Sequence, residues 1–147
     1  MSDSDAGAVP HVLAEFPASR RITTRWMDED VYGHVNNVTY YSFFDTAVNG
    51  YLIEATGADI RTLDAVGVVA ETSCRFEREL RFPADVQVGI AVERLGTSSI
   101  VYRLGIFQDP EPTAAALGRF VHVYVDARTR AVTPVPPAIR QAVGRIV

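Results

Sequence analysis

The densest cluster of polar side chains lies in residues 28–37, which read DEDVYGHVNN and directly precede an apolar segment. A carboxylate a few residues before a helix lies near unpaired backbone N–H groups, which favour developing negative charge. A carboxylate that attacks or activates water, beside amides that stabilise an oxyanion, suffices to hydrolyse an activated acyl group. Gly33 permits the tight turn that this loop needs and lets a ligand approach the backbone.

A buried helix is predicted directly after this cluster, over residues 38–55. Apolar residues recur there at steps of three and four, and further apolar residues occupy the flanking faces. A helix that is apolar on nearly all sides is typical of a protein interior. Asn36 or Asn37 is suited to cap its start, and Gly57 is suited to cap its end.

Strands are predicted on both sides of this helix. They are rich in Val, Ile, Tyr and Phe and are separated by turn-forming residues; they cover residues 20–26, 68–76, 86–95, 100–107 and 114–126. A short closing helix is predicted over residues 138–147. One strand, one long helix and four antiparallel strands indicate an α+β fold in which about five strands wrap the helix. We expect a loose leader over residues 1–18 and a single domain over residues 19–147.

The composition argues against several classes of protein. All 14 basic residues are arginines, and 18 acidic residues bring the net charge to −4, which disfavours binding to nucleic acid. The longest apolar runs are too short to insert across a membrane. The single cysteine, Cys74, forms no internal disulfide, so a reducing, cytoplasmic location is expected. With one Cys and three His, neither a metal nor another cofactor is expected.

Residues 25–40 resemble the hotdog-fold acyl-CoA thioesterases of the 4-hydroxybenzoyl-CoA thioesterase type. The signature of that family is an Asp-x-Asp-x-x-Gly turn, often followed by His-Val-Asn-Asn and a tyrosine. An aromatic-rich helix comes next, and residues 41–47 look like that helix. Weaker similarity extends the match to about residues 20–142. The resemblance implies a hotdog fold, an acyl-CoA substrate and a substrate pocket between two subunits.

The resemblance also implies roles for individual residues. Asp30 matches the catalytic carboxylate, which acts as nucleophile or general base, and Asn37 matches the position whose backbone N–H polarises the thioester carbonyl. Asp45 is a rival catalytic acid, because a related hotdog branch carries its carboxylate on the helix. Candidate substrate-binding residues are Gly33, His34, Asn36, Tyr40 and Ser99. Capping explains Asn36 equally well, core packing explains Tyr40, and a strand-connecting turn explains Ser99.

These observations favour a thioester hydrolase that needs no cofactor. Two alternatives remain open: an acyl-CoA-binding hotdog protein without catalytic activity, and a hotdog dehydratase acting on hydroxyacyl thioesters. The presence of the motif acid Asp30 favours hydrolysis over binding alone, and the dehydratases are similar in fold only. A sheet around one helix leaves open edges, so a homodimer or homotetramer is expected.

Overall fold

A computed structural model describes residues 11–147 and shows one antiparallel sheet of five strands. The strands are β1 (Ala18–Ile22), β2 (Ala65–Phe76), β3 (Val86–Leu95), β4 (Ser99–Phe107) and β5 (Ala116–Asp126). Their order across the sheet is β1-β3-β4-β5-β2, so β1 and β2 form its two edges. The helices are α1 (Asn37–Thr56) and α2 (Pro137–Gly144). This architecture confirms the predicted hotdog fold, a five-stranded antiparallel sheet with a long central helix.

Helix α1 begins and ends as predicted, within one residue at each end. The Asn36 side chain caps its start, because its Oδ1 accepts a hydrogen bond from the Val38 N–H at 3.0 Å. Gly57 ends it in the left-handed conformation, with φ of 68°, and donates its N–H to the Ile53 carbonyl at 2.9 Å. Among the residues that the structure describes, no helix has both the length and the apolar character needed to cross a bilayer.

One face of α1 packs into the main core. Phe44, Val48 and Leu52 are buried there against apolar side chains of the sheet. The opposite face is open within the single chain, since Val38 is 72% exposed and Ile53 is 43% exposed. The prediction of a helix buried on nearly all sides is therefore wrong for the isolated chain. Within residues 11–147, nothing covers the apolar groups on this outer face.

The described part of the predicted leader is not loose. Val12 forms a β-bridge with Thr113, and residues 13–15 form a turn of 3₁₀ helix. The Phe16 side chain is buried and meets the Phe107 ring edge-on, with ring centroids 5.9 Å apart. Burial of a large aromatic group outweighs the turn-forming prolines that suggested a loose segment. Residues 1–10, the rest of that predicted leader, lie outside the described residues.

Replacement of Gly118 by alanine is expected to destabilise the fold by about 1–3 kcal/mol, because α1 approaches β5 closely at this point. A Cβ atom on Gly118 would lie 2.3 Å from Cζ of Phe44, whose ring is completely buried. Urea unfolding measures the effect. Gly144→Ala is the matched control, because its added methyl group meets nothing within 4 Å. Equal stability of the two variants would contradict this account of the packing.

Candidate active site

The loop before α1 is held at its start by a buried carboxylate. Asp28 is 3% exposed, and its Oδ2 accepts the Arg25 backbone N–H at 2.8 Å. Its Oδ1 accepts two bonds from the Arg25 guanidinium, at 3.1 and 2.9 Å. The Asp28 carbonyl accepts the Asn36 N–H at 2.9 Å, which brings the two ends of the loop together. Asp28 is thus a structural anchor of the loop.

Asp30 lies in the tight turn at the tip of this loop. Its N–H donates to the His34 carbonyl at 3.1 Å, and its carbonyl accepts the Gly33 N–H at 3.1 Å. Gly33 has a φ of 81°, a backbone conformation that residues other than glycine rarely adopt. One carboxylate oxygen of Asp30, Oδ1, accepts the Tyr32 N–H at 2.9 Å. The turn therefore orients this carboxylate toward the backbone N–H of Tyr32.

The first turn of α1 supplies backbone donors. Asn37 is the first helical residue, so the helix itself provides no acceptor for its N–H. The Asn36 side chain accepts the N–H of Val38, and the Asn36 carbonyl accepts the N–H of Thr39 at 2.9 Å. The N–H of Asn37 and the positive end of the helix dipole are then available to a ligand. Asn36 acts here as the cap, and this role uses its side-chain oxygen.

An open groove of about 190 Å³ lies at this end of α1. The loop and the first turn of α1 form one side of the groove, with His34, Asn37 and Tyr40. The end of β2 and the residues after it form the other side, with Phe76, Glu77, Arg78 and Glu79. Asp30 is bonded to His34 but does not itself line the groove. The structure thus brings Asn37, His34 and Tyr40 together and places Asp30 beside them.

Tyr40 connects the helix to the opposite wall of the groove. Its side chain is 2% exposed, and its hydroxyl donates to the Arg78 carbonyl at 3.3 Å and accepts the Leu80 N–H at 3.2 Å. Its ring meets the Phe76 ring edge-on at 4.9 Å. Burial raises the pKa of the Tyr40 hydroxyl, so it stays protonated at neutral pH. The contacts of Tyr40 make it a positioning residue beneath the groove.

A charged set of residues on the β2 side faces the turn. Nε2 of His34 lies 3.6 Å from Oε1 of Glu79, and the His34 ring stacks on Tyr32 with centroids 6.3 Å apart. Arg81 donates to the Gly33 carbonyl at 3.0 Å and to Oε2 of Glu79 at 3.1 Å. Sequence reasoning missed Glu79 and Arg81, although the alternating charges that follow β2 were a visible signal. These contacts hold the turn against the wall of the groove.

Two predicted site residues lie away from the groove within one chain. Asp45 is exposed two turns along α1, about 12 Å from Asn37 at 1.5 Å per residue, and its Oδ1 accepts a bond from Asn49. Ser99 pairs with Val123, which pairs with Val68. Phe76, which lines the groove, lies eight residues after Val68 on β2, about 26 Å along the strand at 3.3 Å per residue. Ser99 is therefore far from the groove within one chain.

The lone cysteine and the acids offer no competing chemistry in the described residues. Cys74 lies on β2, and burial raises the pKa of its thiol to about 12, so it is protonated at neutral pH and a poor nucleophile. Within residues 11–147 there is no cluster of three or more His, Cys, Asp or Glu side chains able to hold a metal ion. The described residues thus add neither a reactive thiol nor a metal-binding cluster to the groups at the start of α1.

Residues 24–143 match the model of the thioesterase-like superfamily, and the chain belongs to that superfamily. The PA5185 protein from Pseudomonas aeruginosa strain PAO1 is similar in structure, with a TM-score of 0.89 and 43% sequence identity over 94% of this chain and 96% of that one. The PA2801 protein from Pseudomonas aeruginosa, which carries a provisional thioesterase assignment, is 31% identical, with a TM-score of 0.79 over 87% and 98% of the two chains.

A thioesterase from Thermus thermophilus, solved with coenzyme A and zinc, has a TM-score of 0.75 to this chain. The two are 27% identical over 89% of this chain and 94% of that chain. No curated protein sequence matches the chain. Family membership and fold thus agree with the resemblance seen in residues 25–40 at the level of the superfamily.

Proposed function

We propose that this protein is an acyl-CoA thioesterase of the 4-hydroxybenzoyl-CoA thioesterase type, which hydrolyses an acyl-CoA to a free acid and CoA. The observation that carries the proposal is the groove at the start of α1, which Asn37 and His34 line, together with the turn that holds Asp30 by a hydrogen bond to the His34 carbonyl. A thioester is already activated, because sulfur donates poorly to its carbonyl. Donors fixed in advance at the oxyanion position supply much of the remaining rate.

In the proposed reaction, the thioester carbonyl oxygen accepts a hydrogen bond from the Asn37 N–H. Asp30 then either takes a proton from water, whose oxygen attacks the carbonyl carbon, or attacks that carbon itself to form an anhydride that water opens. In both routes the C–S bond breaks, the sulfur leaves as thiolate and takes up a proton, and water supplies the added oxygen. His34 and Tyr40 stay candidates for contacts with the substrate or for support of the groove.

The choice of CoA as the carrier rests on two supports. One is the Thermus thermophilus thioesterase, a relative at 27% identity that was solved with coenzyme A. The other is a pair of arginines: Arg78 lines the groove beside Glu77 and Glu79, and Arg81 lies next to it. Guanidinium groups suit phosphate, which CoA carries. The unpaired Cys74 supports a cytoplasmic location, in which thiols stay reduced.

The direct test is release of free thiol from short-chain, long-chain and aromatic acyl-CoAs, followed with a thiol reagent. We expect turnover of at least one class that is proportional to protein concentration. Gly144→Ala, which changes an open site on α2, serves as a control that purification and handling preserve activity. Tight binding of acyl-CoAs without thiol release would instead indicate the binding-protein alternative.

Hydrolysis is expected to continue at an unchanged rate after exhaustive treatment with EDTA. Asp28 is bound by Arg25 and is buried, so it cannot converge with Asp30 on a cation. Amides at the helix start can stabilise the oxyanion without a Lewis acid. Thiol release by the treated and untreated protein is the measurement. A loss of activity that Mg²⁺ or Zn²⁺ restores would contradict the role given to Asp30.

We expect the protein to be at least a dimer at micromolar concentration, with β2 at the contact. β2 pairs with β5 along one side and forms an edge of the sheet along the other, where Val68 and Val69 are 39% and 47% exposed. β2 is a long edge strand of twelve residues, and an edge strand is a template for pairing with a second strand. Sedimentation equilibrium measures the mass, and a stable, active monomer of 16.1 kDa would exclude the assembly.

A further inference from the structure

A second cavity, of about 190 Å³, lies far from the groove, between the second half of α1 and the sheet. Its walls come from α1, from the 3₁₀ turn Ile60–Thr62, from the start of β2, from β5 and from α2: Asn49, Leu52, Ile60, Arg61, Leu63, Val66, Gly67, His122, Tyr124 and Ile139. Asn49 lies twelve residues after Asn37, about 18 Å along the helix axis at 1.5 Å per residue. We call this space the His122 cavity.

His122 is the unusual feature of the cavity. Its side chain is 2% exposed, and its Nδ1 has no hydrogen-bond partner among the residues that the structure describes. Nδ1 lies on the cavity side, because a Cβ built on Gly67 would come within 3.2 Å of it and within 3.1 Å of Cζ of Tyr124. A buried polar atom without a partner is costly, and it is usually satisfied by water or by a ligand. Because Gly67 lacks a side chain, no Cβ atom stands between this nitrogen and the Gly67 backbone, which lines the cavity.

The chemistry of the walls restricts the ligand. Half of the lining residues are aliphatic, namely Leu52, Ile60, Leu63, Val66 and Ile139, so the body of the ligand is apolar. Burial lowers the pKa of His122 to about 4, so the imidazole is neutral at neutral pH and offers no charge to an anion. The guanidinium of Arg61 is already bonded to both carboxylate oxygens of Asp59, at 2.9 and 3.1 Å. An anionic ligand therefore has no uncompensated cation on the cavity wall.

We propose that the His122 cavity binds a compact, uncharged ligand that carries a hydroxyl group on an apolar body, with His122 as its hydrogen-bond partner. A hydroxyl both donates and accepts, so it can pair with Nδ1 in either neutral tautomer of the imidazole. Tyr124, on the same wall, can pair with a hydroxyl in the same way. The site is separate from the groove at Asn37, because the buried side chains of Phe44, Ala47 and Val48 fill the core along that part of α1.

Phenol is the probe that tests this site, and toluene, which has a similar ring but no hydroxyl group, is the control ligand. In a titration followed by NMR, phenol is expected to shift the amides of residues 60–67 and the His122 ring nitrogens in a saturable way. Toluene is expected to bind about tenfold more weakly, the usual worth of one hydrogen bond. The test is independent of thioester hydrolysis, so its failure leaves the proposed function untouched.

Two variants distinguish the contribution of the hydrogen bond to His122 from that of the space beside it. His122→Phe keeps an aromatic ring but removes Nδ1, and it is expected to bring phenol binding down to the level of toluene, with His11→Phe as the matched surface control. Gly67→Ala keeps His122 but places a methyl group against its Nδ1, and it is expected to weaken both probes, with Gly144→Ala as the control. Absence of a saturable shift up to the solubility limit of phenol, equal binding of phenol and toluene, or full binding by His122→Phe would each overturn the proposal.

Discussion

Asp30→Asn is expected to lower kcat for thioester hydrolysis by about 10²- to 10⁴-fold while leaving the fold unchanged. The amide keeps the size of the carboxylate and can still accept the Tyr32 N–H, the contact that orients the side chain in the turn. It cannot take a proton from water or form an anhydride, so both routes to hydrolysis are closed. Steady-state thiol release and a urea unfolding curve measure activity and stability on the same preparation.

Asp45→Asn is the matched control for this prediction. Asp45 is exposed on α1 and contacts Asn49, about 12 Å along the helix from Asn37, so we expect near-normal turnover in this variant. Loss of activity in Asp45→Asn with retention in Asp30→Asn would reverse the assignment. The carboxylate on the helix would then be the catalytic acid.

Acidification from pH 7 to pH 4 is expected to cost about 3 kcal/mol of stability through His122 alone. Burial lowers the pKa of this side chain from its usual 6.5 to about 4. Between those values the unfolded chain binds a proton that the folded protein does not, so stability rises with pH over this window and is constant above it. Each unit of the pKa difference corresponds to about 1.4 kcal/mol.

The measurement compares the free energy of urea unfolding at pH 7 and pH 4 in the wild type and in His122→Phe. Other groups titrate in both proteins, so the difference between the two pH dependences isolates His122. We expect the variant to lose about 3 kcal/mol less than the wild type on acidification. Equal losses in the wild type and in His122→Phe would show that this imidazole is not held neutral by burial.

The secondary structure was predictable where local signals and burial agree. The caps at Asn36 and Gly57 bound α1 as expected, and β3 was predicted with its observed ends. The first strand shows where such reasoning fails, since residues 20–26 were predicted and Ala18–Ile22 is observed. The Asp28 carboxylate accepts the Arg25 N–H, and residues 26–28 form a 3₁₀ helix instead of continuing the strand. The β-branched and aromatic residues of this segment do not reveal that contact.

The site was predictable in its motif and less so in its surroundings. The loop, the cap and the helix start are contiguous in sequence, so their proximity follows from local geometry. The opposite wall depends on contacts between distant positions, such as Tyr40 with Leu80 and Gly33 with Arg81, which spacing alone does not show. His122 was visible as one member of an alternating strand, but only the packing of β5 against Gly67 reveals its unpartnered nitrogen.

The most direct test of the central claim is a mass-spectrometric analysis of the products made in H₂¹⁸O from acyl-CoAs and 3-hydroxyacyl-CoAs. We expect free CoA together with an acid that has gained one oxygen atom from the solvent, and much less of both products with Asp30→Asn. Formation of an enoyl-CoA by loss of water would identify a dehydratase. Recovery of every CoA thioester intact, with or without binding, would contradict hydrolysis at this site.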